Sequence, residues 1–90
     1  MNITRPHDAE DNEYNIEMNK VLDHWADRHG EIIVSKEIYK YAVVAKTETG
    51  REIIATKADG CRSRHINVRN FIYMKEIKDG KHIRIKKEDW

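Results

Sequence analysis

The sequence predicts an α+β domain in which one N-terminal amphipathic helix packs on a four- to five-stranded antiparallel sheet. Three observations lead to this class. The chain has 90 residues, which is the size of one domain. Apolar residues recur at helical spacing before Gly30, and apolar and polar residues alternate along short runs after it. Glycine-containing turns separate these runs, as they do in antiparallel hairpins.

The helix is predicted over residues 8–29. Carboxylates crowd its first turns, where the helix dipole favours negative charge, and Arg28 and His29 lie at its end, where the dipole favours positive charge. Gly30 supplies the left-handed residue that commonly ends a helix. Residues 1–7 are expected to form a flexible arm. One apolar stripe runs along the helix and consists of Tyr14, Met18, Val21, Leu22 and Trp25.

The antiparallel sheet is predicted over residues 31–87. Turns at 48–51 and 78–81 are expected to connect hairpins, and the Asp-Gly pair in the second favours a type I′ turn. Residues 58–65 are predicted to form a polar loop. The pattern fits an open sheet and a small SH3-like barrel equally well. Strands are expected at 32–34, 38–47, 52–57, 66–77 and 82–87.

Cysteine content and hydropathy exclude several classes of protein. The single cysteine, Cys61, cannot form an internal disulfide, so a disulfide-stapled secreted scaffold is excluded. Residues 1–10 lack the apolar run of a secretory signal. The longest apolar stretch, residues 41–45, is far shorter than a membrane span. We therefore expect a cytoplasmic protein that has no membrane partner.

Charge is distributed unevenly along the chain. Residues 1–34 hold three basic and eight acidic residues, a net charge of −5, whereas residues 35–90 hold fourteen basic and eight acidic residues, a net charge of +6. The predicted helix is therefore acidic and the predicted sheet basic. Such an asymmetry is one of the few indications of function that composition gives.

The basic half predicts a small nucleic-acid-binding regulatory or accessory protein. Arginine and lysine on strands and on a loop can contact phosphates, and an aromatic ring on a sheet can stack on an unpaired base. RNA or single strands are favoured over duplex, because an acidic helix is repelled by a duplex groove. The predicted contacts, in a basic loop and the C-terminal hairpin, are Lys57, Arg62, Arg64, His65, Arg69, Tyr73, Arg84 and Lys86.

Two other interpretations stay open. The chain can be a protein-interaction module, such as a small inhibitor or adaptor of a host enzyme, that uses the acidic helix or a sheet edge. It can also form a homodimer, in which the acidic helix of one subunit lies against the basic sheet of the other. A 90-residue chain with a modest core would gain stability from such an interface.

No catalytic or metal-binding motif is complete in the sequence. Cys61 and His65 supply only half of the four ligands that a structural zinc ion needs. The same two residues lack an orienting third group for nucleophilic catalysis. The glycines stand singly at predicted turns, which does not make a phosphate-cradling loop. We therefore expect a protein that is not an enzyme and that holds neither a metal nor a cofactor.

Overall fold

The structure is a computed structural model that describes residues 2–4, 13–58 and 68–90. These residues form one sheet of six strands and one α-helix that packs on a single face of the sheet. The strands lie across the sheet in chain order, so each pairs with its neighbour in sequence. The predicted α+β class is confirmed.

The strands are short and the helix is the longest element. The helix α1 covers Glu13–His29, and two 3₁₀ turns cover Val68–Phe71 and Lys87–Asp89. β1 runs parallel to β2, and the remaining four neighbouring pairs are antiparallel. The strands are β1 (Asn2–Thr4), β2 (Ile33–Ile38), β3 (Ala42–Thr47), β4 (Glu52–Lys57), β5 (Ile72–Lys78) and β6 (Lys81–Ile85).

The helix forms where the apolar stripe predicts it. Met18, Val21 and Leu22 are fully buried, and Trp25 is 1% exposed. Burying a side chain of this size stabilises the fold by roughly 1.5–3 kcal/mol. Gly30 follows the helix with a φ of 68°, the left-handed conformation expected of a helix stop. Residues 8–12 of the predicted helix lie outside the described part of the chain.

The core lies between α1 and one face of the central strands. The sheet contributes buried side chains from β2 to β5. Residues that alternate with these point to the opposite side of the sheet. In the described ranges, no helix combines the length and the apolar character that crossing a membrane requires. The buried sheet residues are Ile33, Ile38, Val43, Ala45, Ile53, Ala55, Ile72 and Met74.

The sheet differs from the prediction in closure, strand number and direction. β1 and β6 are its two edges, so the sheet is open and the barrel alternative is wrong. The helix gives the apolar face the cover that a barrel obtains from its own opposite wall. Six strands replace the predicted four to five, and β1 makes the sheet mixed rather than wholly antiparallel. The three residues of β1, within the segment expected to be an arm, are too few to show an alternating pattern.

The predicted strand over residues 38–47 is in fact parts of two strands. β2 ends at Ile38 and β3 begins at Ala42, and the backbone N–H of Tyr39 donates to the carbonyl of Ala42 (2.8 Å) across the turn. This turn contains none of the glycine, proline, asparagine or aspartate residues that usually mark one. The prediction therefore missed it, and it also ended the preceding strand at residue 34.

The predicted strand over residues 66–77 also begins later than expected. Val68–Phe71 form a 3₁₀ turn before β5, and residues 66–67 are not described. The turn at 78–81 is confirmed, because Asp79 and Gly80 have φ values of 53° and 76°. Positive φ at both central positions is what a type I′ turn requires.

Candidate nucleic-acid interface

The side of the sheet opposite α1 is the open face. Val44 and Ile54 at its centre are half-buried, whereas their sequence neighbours Ala45 and Ile53, which point to α1, are 1% and 0% exposed. Strand register places its residues in rows across the sheet. From β3 to β6 the open face consists of Ala42, Val44, Lys46, Glu52, Ile54, Thr56, Tyr73, Lys75, Ile77, His82 and Arg84.

The β5–β6 hairpin carries the basic end of the open face. Lys75 of β5 lies directly opposite Arg84 of β6, and Lys75 also lies opposite Ile54 of β4. Two like charges in directly opposed positions destabilise a sheet. Neither cation makes an ion pair within the described ranges. This end of the sheet therefore has an uncompensated positive charge.

An aromatic ring lies beside this charge. The guanidinium carbon of Arg84 is 5.5 Å from the ring centroid of Tyr73, a cation–π distance. Tyr73 is half-buried, so its ring is partly accessible from the open face. The contact restrains Arg84 and leaves its N–H donors able to bind an anion. Tyr73 thus offers a surface for stacking, and Arg84 offers hydrogen-bond donors that can bind a phosphate.

Two cations on the α1 side of the sheet, Arg51 and Lys36, are paired with carboxylates. The Nε and Nη2 of Arg51 donate to the two carboxylate oxygens of Glu76 (3.0 and 2.9 Å). These bonds hold the pKa of Glu76 below its ordinary value. The buried Lys36 donates to Asp23 on α1 (2.8 Å). Arg51 and Lys36 on the α1 side thus have carboxylate partners, whereas Lys75 and Arg84 on the open face have none among the described residues.

The predicted contacts fall into three groups. Tyr73 and Arg84 meet on the open face, and Lys86 lies beside them in the segment after β6. Lys57 and Arg69 lie on the α1 side. The Nζ of Lys57 is 5.0 Å from the ring centroid of Tyr14 on α1, and Arg69 approaches Glu17 of the same helix (3.9 Å). The remaining predicted contacts, Arg62, Arg64 and His65, lie outside the described residues, as does Cys61.

Lys75, Lys87 and Trp90 were not among the predicted contact residues. The period of two along a strand, counted from Tyr73, was sufficient to place Lys75 on the same face. Lys87 and Trp90 had no such signal, because they follow the last strand and their position depends on how the chain turns back.

A groove of about 360 Å³ opens beside Tyr73, where β5 begins and β6 ends. Arg84, Lys86 and Lys87 form its basic rim, and Glu88 contributes a single carboxylate. The other lining residues are the apolar side chains of Ile72, Ile85 and Trp90. The groove is therefore positively charged at its rim and apolar inside.

The segment after β6 is held against the end of the helix, and residues 87–90 are named here the latch. Arg28 donates from Nη1 to the carbonyls of Glu88 (2.6 Å) and Trp90 (2.7 Å). The Nε2–H of His29 donates to the carbonyl of Asp89 (2.6 Å). Trp90 is 4% exposed and belongs to the core. The latch therefore joins the groove to the last turn of α1.

Metal binding finds no support in the described part of the chain, where no three His, Cys, Asp or Glu side chains are grouped to hold an ion. The chain matches no known protein family, no curated protein and no solved structure. The chemistry of the open face is therefore the guide to its ligand.

Proposed function

We propose that this protein binds single-stranded nucleic acid, RNA or DNA, on the open face through Tyr73, Lys75, Arg84 and Lys86. The opposed pair of Lys75 and Arg84 carries the proposal. A phosphate placed between the two side chains converts their repulsion into two charge-assisted contacts. Binding would thus relieve the repulsion between Lys75 and Arg84 that is present in the free protein.

The ring of Tyr73 supports unpaired bases as the ligand. Stacking on an aromatic ring needs an exposed base plane, which single strands offer and a duplex interior does not. Arg84 lies over the same ring at 5.5 Å and can bind the phosphate next to a stacked base. Val44 and Ile54 continue the row from Lys75 across the sheet and offer apolar contact for sugars and bases. The proposed path runs from this apolar centre to the basic hairpin.

Charge on the two sides of the sheet agrees with this ligand. Glu17, Asp23 and Asp27 belong to α1 and are separated from the open face by the sheet. A strand on the open face therefore avoids most of their repulsion. Lys57 and Arg69, which lie on the α1 side, are not part of the proposed face. Arg62, Arg64 and His65 stay predicted contacts.

Fluorescence anisotropy with labelled single strands of RNA and DNA tests the proposal. Three or four phosphate contacts on a single strand predict about 20- to 50-fold weaker binding when salt rises from about 50 to about 200 mM. Arg84→Glu is expected to weaken binding at least about tenfold, because a charge-assisted contact is lost and a repulsive one replaces it.

Lys20→Glu is the matched control, because Lys20 is exposed on α1 and its replacement changes the net charge by the same two units. The control is expected to stay within about twofold of the parent. Equal losses for the two variants would show a nonspecific charge effect. Binding that ignores salt, or no binding at about 50 mM salt, would refute the proposal.

A second candidate function has one observation in its favour. β6 pairs with a neighbour on one side only, and Ile83 on this edge strand is 49% exposed. An extended peptide can add to such an edge as a further strand. Amide shifts in NMR would separate the two ligands, because a peptide perturbs β6 and its edge, whereas a nucleic acid on the open face also perturbs β4 and β5.

A further inference from the structure

We infer that the groove beside Tyr73 holds the phosphorylated terminal nucleotide of the bound strand, an inference that rests on the proposed function. The groove adjoins the open face, because Tyr73 and Arg84 belong to both. Its volume of about 360 Å³ lies in the range of sites for small organic ligands. It therefore has room for one nucleotide at the end of the proposed path.

The charge of the rim fits a terminal phosphate better than an internal one. Three cations, Arg84, Lys86 and Lys87, face one carboxylate, Glu88, which leaves a net charge of +2. A phosphate monoester carries a charge of about −1.5 to −2 at pH 7, whereas a phosphodiester within a strand carries about −1. The end of a phosphorylated strand thus neutralises the rim more completely.

The interior of the groove suits a base. The indole Nε1–H of Trp90 already donates to the carbonyl of Ile85 (3.2 Å), so the indole has no unsatisfied donor that an apolar or aromatic ligand would desolvate. Lys87 lies 5.9 Å from the Trp90 ring centroid, between the apolar interior and the basic rim. A base can pack on Tyr73 and the apolar interior while its phosphate meets the rim.

The wall formed by the latch limits the length of the ligand inside the groove. Lys87 and Glu88 line the groove, and their turn is fixed to α1 by the bond from Arg28 to the Glu88 carbonyl. A strand that follows the open face to the groove meets this turn as a fixed boundary. One end of the strand, rather than its middle, therefore occupies the groove.

Anisotropy titration of one oligonucleotide in four forms tests the inference. The forms are 5′-phosphorylated, 3′-phosphorylated, unphosphorylated and circular. We expect one phosphorylated form to bind at least about tenfold tighter than the unphosphorylated strand, the gain of one additional charge-assisted contact. Lys87→Gln should bring this ratio close to one. Lys81→Gln, in the same hairpin but outside the groove, should keep the ratio.

Two outcomes would refute the terminal-nucleotide site, and a third would also refute the proposed function. Equal binding of all four forms leaves the open face as a binding surface and removes the terminal site. A free nucleoside monophosphate that binds as tightly as the phosphorylated strand makes the groove a free-nucleotide site instead. Failure of every strand to bind refutes the proposed function itself.

Discussion

Arg51 joins three parts of the molecule through one side chain. Its guanidinium lies 4.9 Å from the ring centroid of Trp25 on α1 and forms two hydrogen bonds with Glu76 on β5. Its Nη1 also lies 3.7 Å from Glu31, whose carboxylate accepts a hydrogen bond from Thr49 (2.6 Å). The Thr49 bond is the largest contribution that lowers the pKa of Glu31. Arg51 therefore covers the core tryptophan with a polar network.

Glu76→Gln is expected to reduce stability and its dependence on pH. The hydrogen bonds from Arg51 lower the pKa of Glu76 in the folded state, so the carboxylate stabilises the fold above its unfolded pKa of about 4.3. That contribution is lost as pH falls through the lower, folded-state pKa. Because Arg51 is 37% exposed, solvent screens the pair, and we expect a loss of about 1 kcal/mol at pH 7.

Urea unfolding of the parent and variant at pH 7 and pH 3 measures this effect. The difference between the two proteins should be largest at pH 7 and should shrink at pH 3, because the unfolded parent takes up a proton at Glu76 once the pH is below the unfolded pKa. Glu48→Gln, at an exposed turn position, is the matched control. A difference that stays the same at both pH values would contradict the role of the carboxylate charge.

At the scale of elements, the turn of the β5–β6 hairpin determines the chemistry of the open face. Asp79 and Gly80 both have positive φ, and the two-residue turn places Lys78 opposite Lys81. That register in turn places Lys75 opposite Arg84. A shift of one residue would move one member of this pair to the other side of the sheet.

Gly80→Ala should therefore destabilise the hairpin by about 1–2 kcal/mol, the cost of a left-handed backbone at a residue with a Cβ atom. A Cβ at this position meets no atom within 4 Å, so the cost is conformational rather than steric contact with neighbours. Asp79→Asn is the control, since asparagine adopts positive φ readily and should stay within about 0.5 kcal/mol of the parent. Thermal or urea unfolding measures both, and equal stability of Gly80→Ala and the parent would be the contrary result.

Elements whose signals are local were predictable. For α1, the apolar stripe, the charges at its ends and Gly30 agree, and the Asp-Gly pair identifies the type I′ turn. The turn after Ile38 was missed because it contains none of the residues that usually mark a turn. Its position is determined by the pairing of β2 with β3 and not by the local sequence. β1 was missed because its pairing with β2 spans the whole helix. When short segments pair over a long distance in the chain, the local sequence contains no pattern that predicts the pairing.

At the scale of the whole molecule, the charge asymmetry of the sequence becomes a difference between two surfaces. The described helix carries four acidic residues and two basic ones, and the sheet lies between it and the open face. The sign of each half was predictable from composition. The distribution of the basic residues between the open face and the α1 side was predictable only in part. Tyr73 and Arg84 follow from alternation, whereas Arg69 lies in a turn that the sequence predicted as strand.

Arg28→Ala is expected to loosen the latch. The variant loses the donor to the carbonyls of Glu88 and Trp90, and we expect a loss of about 1–2 kcal/mol in the free energy of unfolding. Hydrogen exchange at the indole of Trp90, followed by NMR, should become faster. Lys20→Ala, on the exposed side of the same helix, should change neither quantity. Unchanged exchange at Trp90 in Arg28→Ala would show that the bonds from Arg28 do not hold the latch in place.

The latch also has a consequence for the order of folding. Connections of two to four residues join β2 to β3, β3 to β4 and β5 to β6, so these pairs can form at little entropic cost. The contacts of Arg28 with the latch join residues 60 and 62 positions apart and need both the helix and β6 in place. They should form after the folding transition state. Removing them would then accelerate unfolding and leave the folding rate nearly unchanged. The latch would therefore increase the kinetic stability of the folded state.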